Sequence, residues 1–177
     1  MQAEAGLEEW PLFEEEGAAE AEAAAKTDST AYLAFDLAGQ TLAVPVIGVR
    51  EIIDRRTMTR LPGAPQDVAG LVDLRGTSVP IIDIDKKLGV PSRNRTAEAR
   101  TIVFDFPQAP DPFVVGIDAD RVRSVLSIRK TEIERVPQAG LGSWDASLLN
   151  GIYRTADAVV VLLDLLELFD PQTVRVK

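Results

Sequence analysis

Beyond residue 30 the chain is a series of short apolar runs, each closed by glycine, proline or a polar cluster. Tyr32, Phe35 and Leu37 mark a first strand, Ala38-Gly39-Gln40 a turn, and residues 41–46 a second strand. Residues 49–53 are apolar at Val49, Ile52 and Ile53, a spacing that suits a short helix or an irregular strand. Leu61-Pro62-Gly63-Ala64-Pro65 reads as a rigid loop. Residues 68–74 and 77–83 are strands around an Arg75-Gly76 turn, where Gly76 supplies a positive φ. Residues 84–88 form one helical turn ending at Gly89, with Pro91 just beyond. After a polar connector over 92–98 the texture returns. Strands are expected over 101–106, 113–117 and 122–128, with loops over 107–112 and 137–147. A hairpin over 148–154 and 159–163 and a helical turn over 164–169 complete the pattern. Many short, turn-punctuated strands predict a mainly β fold, a barrel or sandwich, with no α/β layering.

The same unit is used twice. Thirteen positions separate Gly70 from Asp83, and thirteen separate Gly151 from Asp164. At this offset of 81, Val68 meets Leu149, Leu71 meets Ile152, Val79 meets Val160, and Ile81-Ile82 meets Leu162-Leu163. Phe35-Asp36 before residues 49–53 is echoed by Phe104-Asp105 before residues 122–126. Internal repetition marks a supersecondary unit. Two units of about 65 residues are near the lower limit for independent stability, so they are expected to pack on one another and leave a groove between them. The division expected is a first barrel over 30–98, a second over 99–164, and a closing helical turn over 164–170.

Composition narrows the chemistry. The 177 residues are 46% hydrophobic, enough for a core, and include no cysteine and no histidine. Disulfides, thiolate metal sites and every histidine-based triad or zinc motif are excluded. No apolar run approaches the length of a membrane span, and the N-terminus opens with acids, so a soluble cytoplasmic protein without membrane insertion is expected. The net charge of −9 is uneven: residues 1–29 hold nine acids and one base (Lys26), leaving −1 for the rest. Residues 1–29 read as a disordered acidic tail. Within it Trp10, Leu12 and Phe13 lie among glutamates, as stray apolar residues or as a short docking motif. With no basic stripe to neutralise phosphates, nucleic-acid binding is not expected.

No phosphate loop or dinucleotide fingerprint occurs, and nothing calls for a cofactor. Asp83 with Asp85, and Asp118 with Asp120, are paired carboxylates of the kind that bind magnesium or do acid–base work in a small metal-dependent enzyme. Such pairs at strand ends more often cap and solvate turns. Arg75 is displayed at a hairpin tip, where a rigid arginine makes a good interface anchor. Glu51 interrupts an apolar segment, as a charge on a wet face or as a partner-facing acid.

In order along the chain stand Leu37-Ala38-Gly39, Val49-Arg50-Glu51-Ile52, the Leu61–Pro65 loop, Gly70-Leu71-Val72-Asp73-Leu74-Arg75-Gly76 and Val79-Pro80-Ile81-Ile82-Asp83. Val115-Gly116-Ile117-Asp118 and Val122-Arg123-Ser124-Val125-Leu126 follow. This ordered set, over residues 30–170, resembles the CheW-like chemotaxis coupling family. The resemblance implies a pair of SH3-like five-stranded β-barrels and no catalysis. It implies an adaptor that joins chemoreceptor cytoplasmic tips to the regulatory domain of a CheA-type histidine kinase, scaffolding the array and passing receptor control to the kinase. A CheW-like adaptor of another receptor-kinase pathway, such as pilus-based motility, is the nearest alternative. The family's receptor-side positions fall here on Val49, Glu51 and Arg75, and family glycines that guard packing or an interface fall on Gly70 and Gly116. Asp73 replaces the family's usual asparagine before Leu-Arg-Gly. An ionised aspartate accepts hydrogen bonds but donates none, so a brace through an amide NH₂ must differ here, for instance by Asp73 pairing with Arg75 or another cation.

Overall fold

The computed structural model describes residues 28–91, 94–137 and 144–169. The expected tail over 1–29 therefore lies outside the described residues except for its last two. The strands are β1 (Ser29–Leu37), β2 (Gln40–Pro45), β3 (Val49–Asp54), β4 (Val68–Leu74) and β5 (Thr77–Ile82), then β6 (Arg100–Phe106), β7 (Phe113–Ala119), β8 (Arg121–Arg129), β9 (Leu149–Arg154) and β10 (Val159–Leu163). Two one-turn helices, α1 (Ile84–Lys87) and α2 (Leu165–Leu168), follow β5 and β10. The segment over 49–53, open between helix and strand in the sequence, is a strand whose pairing shifts register between Val49 and Glu51. Of the loop expected over 137–147, residues 138–143 lie outside the described residues, as do 92 and 93 of the connector and residue 170 of the closing turn.

Ten strands form two five-stranded sheets, ordered β8-β1-β2-β10-β9 and β3-β6-β7-β5-β4. This corrects the division at residue 98. Neither half of the chain builds a barrel from its own strands. Each sheet takes the opening hairpin of one repeat and the last three strands of the other, an exchange made in both directions. Two parallel pairings seal it: Val160 to Leu162 of β10 run beside Thr41 to Ala43 of β2, and Ile81-Ile82 of β5 beside Gly116-Ile117 of β7. The physical reason lies at the end of the hairpin. A 3-10 turn over Val46–Gly48 carries the chain from β2 past its own sheet to pair β3 with β6. One residue, Asp120, does the same between β7 and β8, and β8 pairs with β1.

The repeated glycine and aspartate have the same local duties in both halves. Asp83 caps α1 by accepting from the Lys86 N–H, and Asp164 caps α2 by accepting from the Leu166 and Glu167 N–H groups. Gly70 and Gly151 lie where another segment crosses the strand, bridging Thr59 to Leu71 and Glu134 to Ile152. A Cβ on Gly70 would stand 2.9 Å from the Thr59 carbonyl oxygen, and one on Gly151 would meet Ile133. Only glycine permits so close an approach.

Three apolar clusters result. One fills the first sheet's barrel around Tyr32, Ala43, Ile128 and Leu162, and another fills the second around Val72, Val79, Ile81 and Val103. The largest lies between the sheets, where Phe35, Leu37 and Leu42 meet Ile102, Phe104 and Ile117, with Leu168 and Phe169 closing one end. The central strands are therefore apolar on both faces: Ala34 turns into its barrel while Leu33 and Phe35 turn to the shared layer.

The exchange predicts the behaviour of a half chain. Residues 28–91 retain β1 to β5 but lose β8, β10, β6 and β7, the neighbours of β1, β2, β3 and β5. The fragment is expected to show no cooperative thermal transition by circular dichroism and poor amide dispersion by NMR. A well-dispersed spectrum from it would contradict the exchange.

Candidate partner-binding site

The second sheet has β3 and β4 at its two edges, and side chains close the gap between them. Arg75 Nη2 donates to Glu51 Oε2 at 3.2 Å, and Arg56 Nη1 to the Asp73 carbonyl oxygen at 3.2 Å. The Thr59–Leu71 bridge completes the closure. Arg75 stands at the β4–β5 turn with φ 53°, followed by Gly76 at φ 83°. Two successive positive φ values define the turn that best matches strand twist, and glycine or asparagine is usual at the first. An arginine there is held in a sparsely populated backbone region, at a cost of order 1 kcal/mol. Its side chain is 84% exposed, against 22% for Glu51. Arg50 adds a second cation, 3.8 Å from Glu51 and 3.5 Å from Asp105.

The residues singled out from the sequence separate into two groups. Val49, Glu51, Asp73 and Arg75 all lie on β3, β4 or the turn beside it. Val49 is half-buried against the shared core and the side chains of Glu51 and Arg75 meet. Asp73 does not pair with Arg75. Its Oδ1 accepts from the Gly76 N–H at 3.1 Å, bracing the turn. An asparagine would brace it equally through its own oxygen, so the aspartate changes the charge and not the hairpin. Gly70 and Gly116 are both buried, which fits the packing role weighed for them and not a direct contact. A Cβ on Gly116 would stand 2.7 Å from Ile81 Cδ1 and 3.3 Å from Thr101 Cγ2.

One surface residue escapes the sequence reading. Ile47 is 95% exposed, in the 3-10 turn just before β3, and Ile52 on β3 is 41% exposed. Val46-Ile47-Gly48 directly follows an apolar strand, and the 3-10 turn carries Ile47 outward. An acid, two arginines and exposed isoleucines on or beside one edge strand are the makings of a protein-binding patch rather than of a catalytic centre.

A family model described as the CheW-like domain matches residues 31–172. The chain belongs to this family. The CheW of Bacillus subtilis is 29% identical over 66% of this chain and 72% of its own length. The CheW of Klebsiella aerogenes is 28% identical over 84% and 87%. Among solved structures, the scaffolding protein TtCheW of Thermoanaerobacter tengcongensis superposes with a TM-score of 0.70 at 25% identity, covering 82% of this chain and 90% of that one. The two SH3-like barrels implied by the CheW resemblance are the two five-stranded sheets described above.

The four aspartates weighed as a metal centre have other work in this CheW-like chain. Asp83 is a helix cap. Asp118 is buried, accepting from Thr101 Oγ1 and from Arg55 Nε, each at 2.7 Å. Asp85 is buried and paired with Arg95 at 2.9 Å. Asp120 accepts from the Ala38 N–H at 2.8 Å and lies 3.5 Å from Arg95 Nε. Guanidinium groups thus stand beside Asp85, Asp118 and Asp120, where a divalent cation would need to sit. Arg95, from a stretch the sequence marks only as polar connector, is the hub: it also donates to the Asp118 carbonyl oxygen at 3.0 Å. Burial raises the Asp85 carboxyl above the ordinary aspartate value, and the nearby charges of Asp83 and Asp120 add to this, while the hydrogen bond and charge of Arg95 oppose it.

The sign of that shift sets a pH test. Asp85 holds its proton more tightly folded than unfolded, so its ionisation is unfavourable at neutral pH and the penalty lifts as pH falls through the raised value. Removing Arg95 leaves the buried carboxylate unpaired. Arg95→Ala is expected to lower stability by about 3–5 kcal/mol at neutral pH, and by clearly less at an acid pH below the raised Asp85 value, where the carboxyl carries its proton. Urea unfolding at the two pH values measures the difference, and an equal loss at both would show that Asp85 is not the group responsible.

Proposed function

We propose that this chain is a non-enzymatic coupling adaptor that links chemoreceptors to a CheA-type histidine kinase and works at the cytoplasmic tips of those receptors. The observation that carries the reading is the convergence of Val49, Glu51 and Arg75, the positions matching the family's receptor side, on one exposed barrel edge. Such a role needs interface patches of about 800 Å² per partner and no tuned acid or base. The two-barrel form supports it physically, because a rigid body joined through one shared core can carry contacts on both barrels at once. Coupling between receptor and kinase is then a free energy shared by two contacts on one body. Among the described residues no helix is long and apolar enough to cross a membrane, so contact with receptors rests on protein surface.

The Arg75–Glu51 pair is well suited to recognition because little of the fold rests on it. An exposed ion pair contributes about 0–1 kcal/mol, so each side chain can be given to a partner cheaply. Glu51 is the less exposed of the two, and reversing its charge would set a lysine between Arg50 and Arg75.

Arg75→Ala and Glu51→Lys are each expected to weaken binding to a receptor cytoplasmic-tip fragment by about tenfold or more, with melting temperatures within about 3 °C of the parent. Calorimetric titration against the receptor fragment and, separately, the kinase regulatory domain reads both contacts. Unchanged receptor affinity in both variants would remove this edge from the receptor site. Absence of any kinase binding by the parent chain would remove the adaptor role itself.

A further inference from the structure

The contacts of Arg95 reach across both barrels. Its Nη1 donates to Asp85 of α1 at 2.9 Å and its Nη2 to the Asp118 carbonyl oxygen of β7 at 3.0 Å, both in the second barrel. Its Nε faces Asp120 Oδ1 at 3.5 Å, too long for a hydrogen bond, so charge holds that contact. Asp120 is the single residue between β7 and β8, and it is tied twice to the first barrel. Its Oδ2 accepts from the Ala38 N–H at 2.8 Å in the β1–β2 turn, and its own N–H donates to the Asp36 carbonyl oxygen of β1 at 2.9 Å. Ala38 holds φ 51°, a region that residues with a side chain rarely enter, so the turn that offers this N–H has a fixed shape. A polar clasp therefore runs from α1 and β7 of one barrel, through a guanidinium only 9% exposed, to the opening hairpin of the other.

The internal repeat indicates that the fold does not require this clasp. At the offset of 81 Asp85 matches Leu166, and the match of residues 49–53 with 122–126 sets Ile47 against Asp120 two positions earlier. Ile47 and Leu166 are 95% and 73% exposed, and neither side chain can form an ion pair. Yet the crossing from β2 to β3 sends its strand to the other sheet just as the crossing from β7 to β8 does. One crossing is clasped by buried charge and its counterpart is not. The apolar layer between the barrels is non-directional, whereas buried, charge-assisted hydrogen bonds hold one geometry. We infer that Arg95 is a positioning residue: through Asp120 it fixes the angle between the two barrels, and thereby how strongly a contact on one barrel is felt at the other. The link to coupling rests on the adaptor reading, and the fixed angle does not.

Two mild variants open the clasp. Asp120→Asn keeps an oxygen for the Ala38 N–H and removes the charge facing Arg95. Arg95→Lys keeps the charge and loses the fork that serves three acceptors. The chain lacks cysteine, so spin labels at Ser78→Cys and Asp157→Cys in the full-length protein, exposed positions on β5 and in the β9–β10 turn, report one distance between the barrels. Pulsed electron resonance is expected to give a narrow distribution for the parent and a clearly broader one in both variants, with cooperative unfolding kept. An unchanged width would overturn the inference, and Asp120→Asn alone decides it if Arg95→Lys fails to fold. Coupling is read by titrating a receptor cytoplasmic-tip fragment with and without saturating kinase regulatory domain. The parent's two affinities are expected to differ by about fivefold or more. In the variants that ratio should fall towards one while each partner's separate affinity stays within about twofold, a split that general loss of structure does not produce. A full ratio kept alongside a broadened distribution would overturn the link to coupling. A parent that binds neither partner would overturn the adaptor reading, while the distance measurement still decides the clasp.

Discussion

Phe35 of β1 and Phe104 of β6 enter the same apolar layer from opposite sheets, both with no exposed surface. Each sits on a hairpin that belongs by sequence to one repeat and by pairing to the other. The layer and the exchange enforce one another. A five-stranded barrel of this size closes over only a handful of side chains, too few for independent stability. Joining two barrels through a third and larger cluster turns the outer faces of their central strands into core. Rings from both sides and from the chain's end meet there, with Phe169 5.0 Å from Phe104 and 5.7 Å from Phe106.

What that layer frees is the far edge of each barrel. At β3 and β4 the closure is made by side chains that also face solvent, Arg75 with Glu51 and Arg56 with Asp73, and by one bridge beyond them. The corresponding edge of the first barrel is closed by the Glu134–Ile152 bridge and by Arg154 on Glu134 at 3.1 Å. Rigidity comes from the centre and recognition is left to the rim. The buried aspartates lie apart from both, where Arg95 holds Asp85 and Arg55 holds Asp118.

The elements and the repeat are legible in the sequence because they rest on local chemistry. Gly70 and Gly151 mark a crossing that no Cβ tolerates, and Asp83 and Asp164 mark helix caps, so the thirteen-residue spacing survives where side-chain identity does not. Strand pairing is not legible. β2 and β7 are apolar on both faces, and such a strand accepts a neighbour from anywhere in the chain. The polar edge at Glu51 and Arg75 is visible because charges stand out against an apolar background. Arg95 is not, since it lies among other polar residues and its burial depends on two aspartates brought from α1 and β7. Ile47 is passed over for another reason: it follows an apolar strand directly, and only the 3-10 turn decides that it is exposed.

The exchanged hairpins also bear on how the chain is made. β1 and β2 leave the ribosome some 85 residues or more before the strands that flank them, β8 and β10. Loops this long must close before the pairing is rewarded. Until β8 and β10 have been made, the opening hairpin has two unsatisfied edges and an uncovered apolar face. The first sheet thus cannot close until β10 has been made, and until then the opening hairpin depends on its surroundings to keep those edges from strangers.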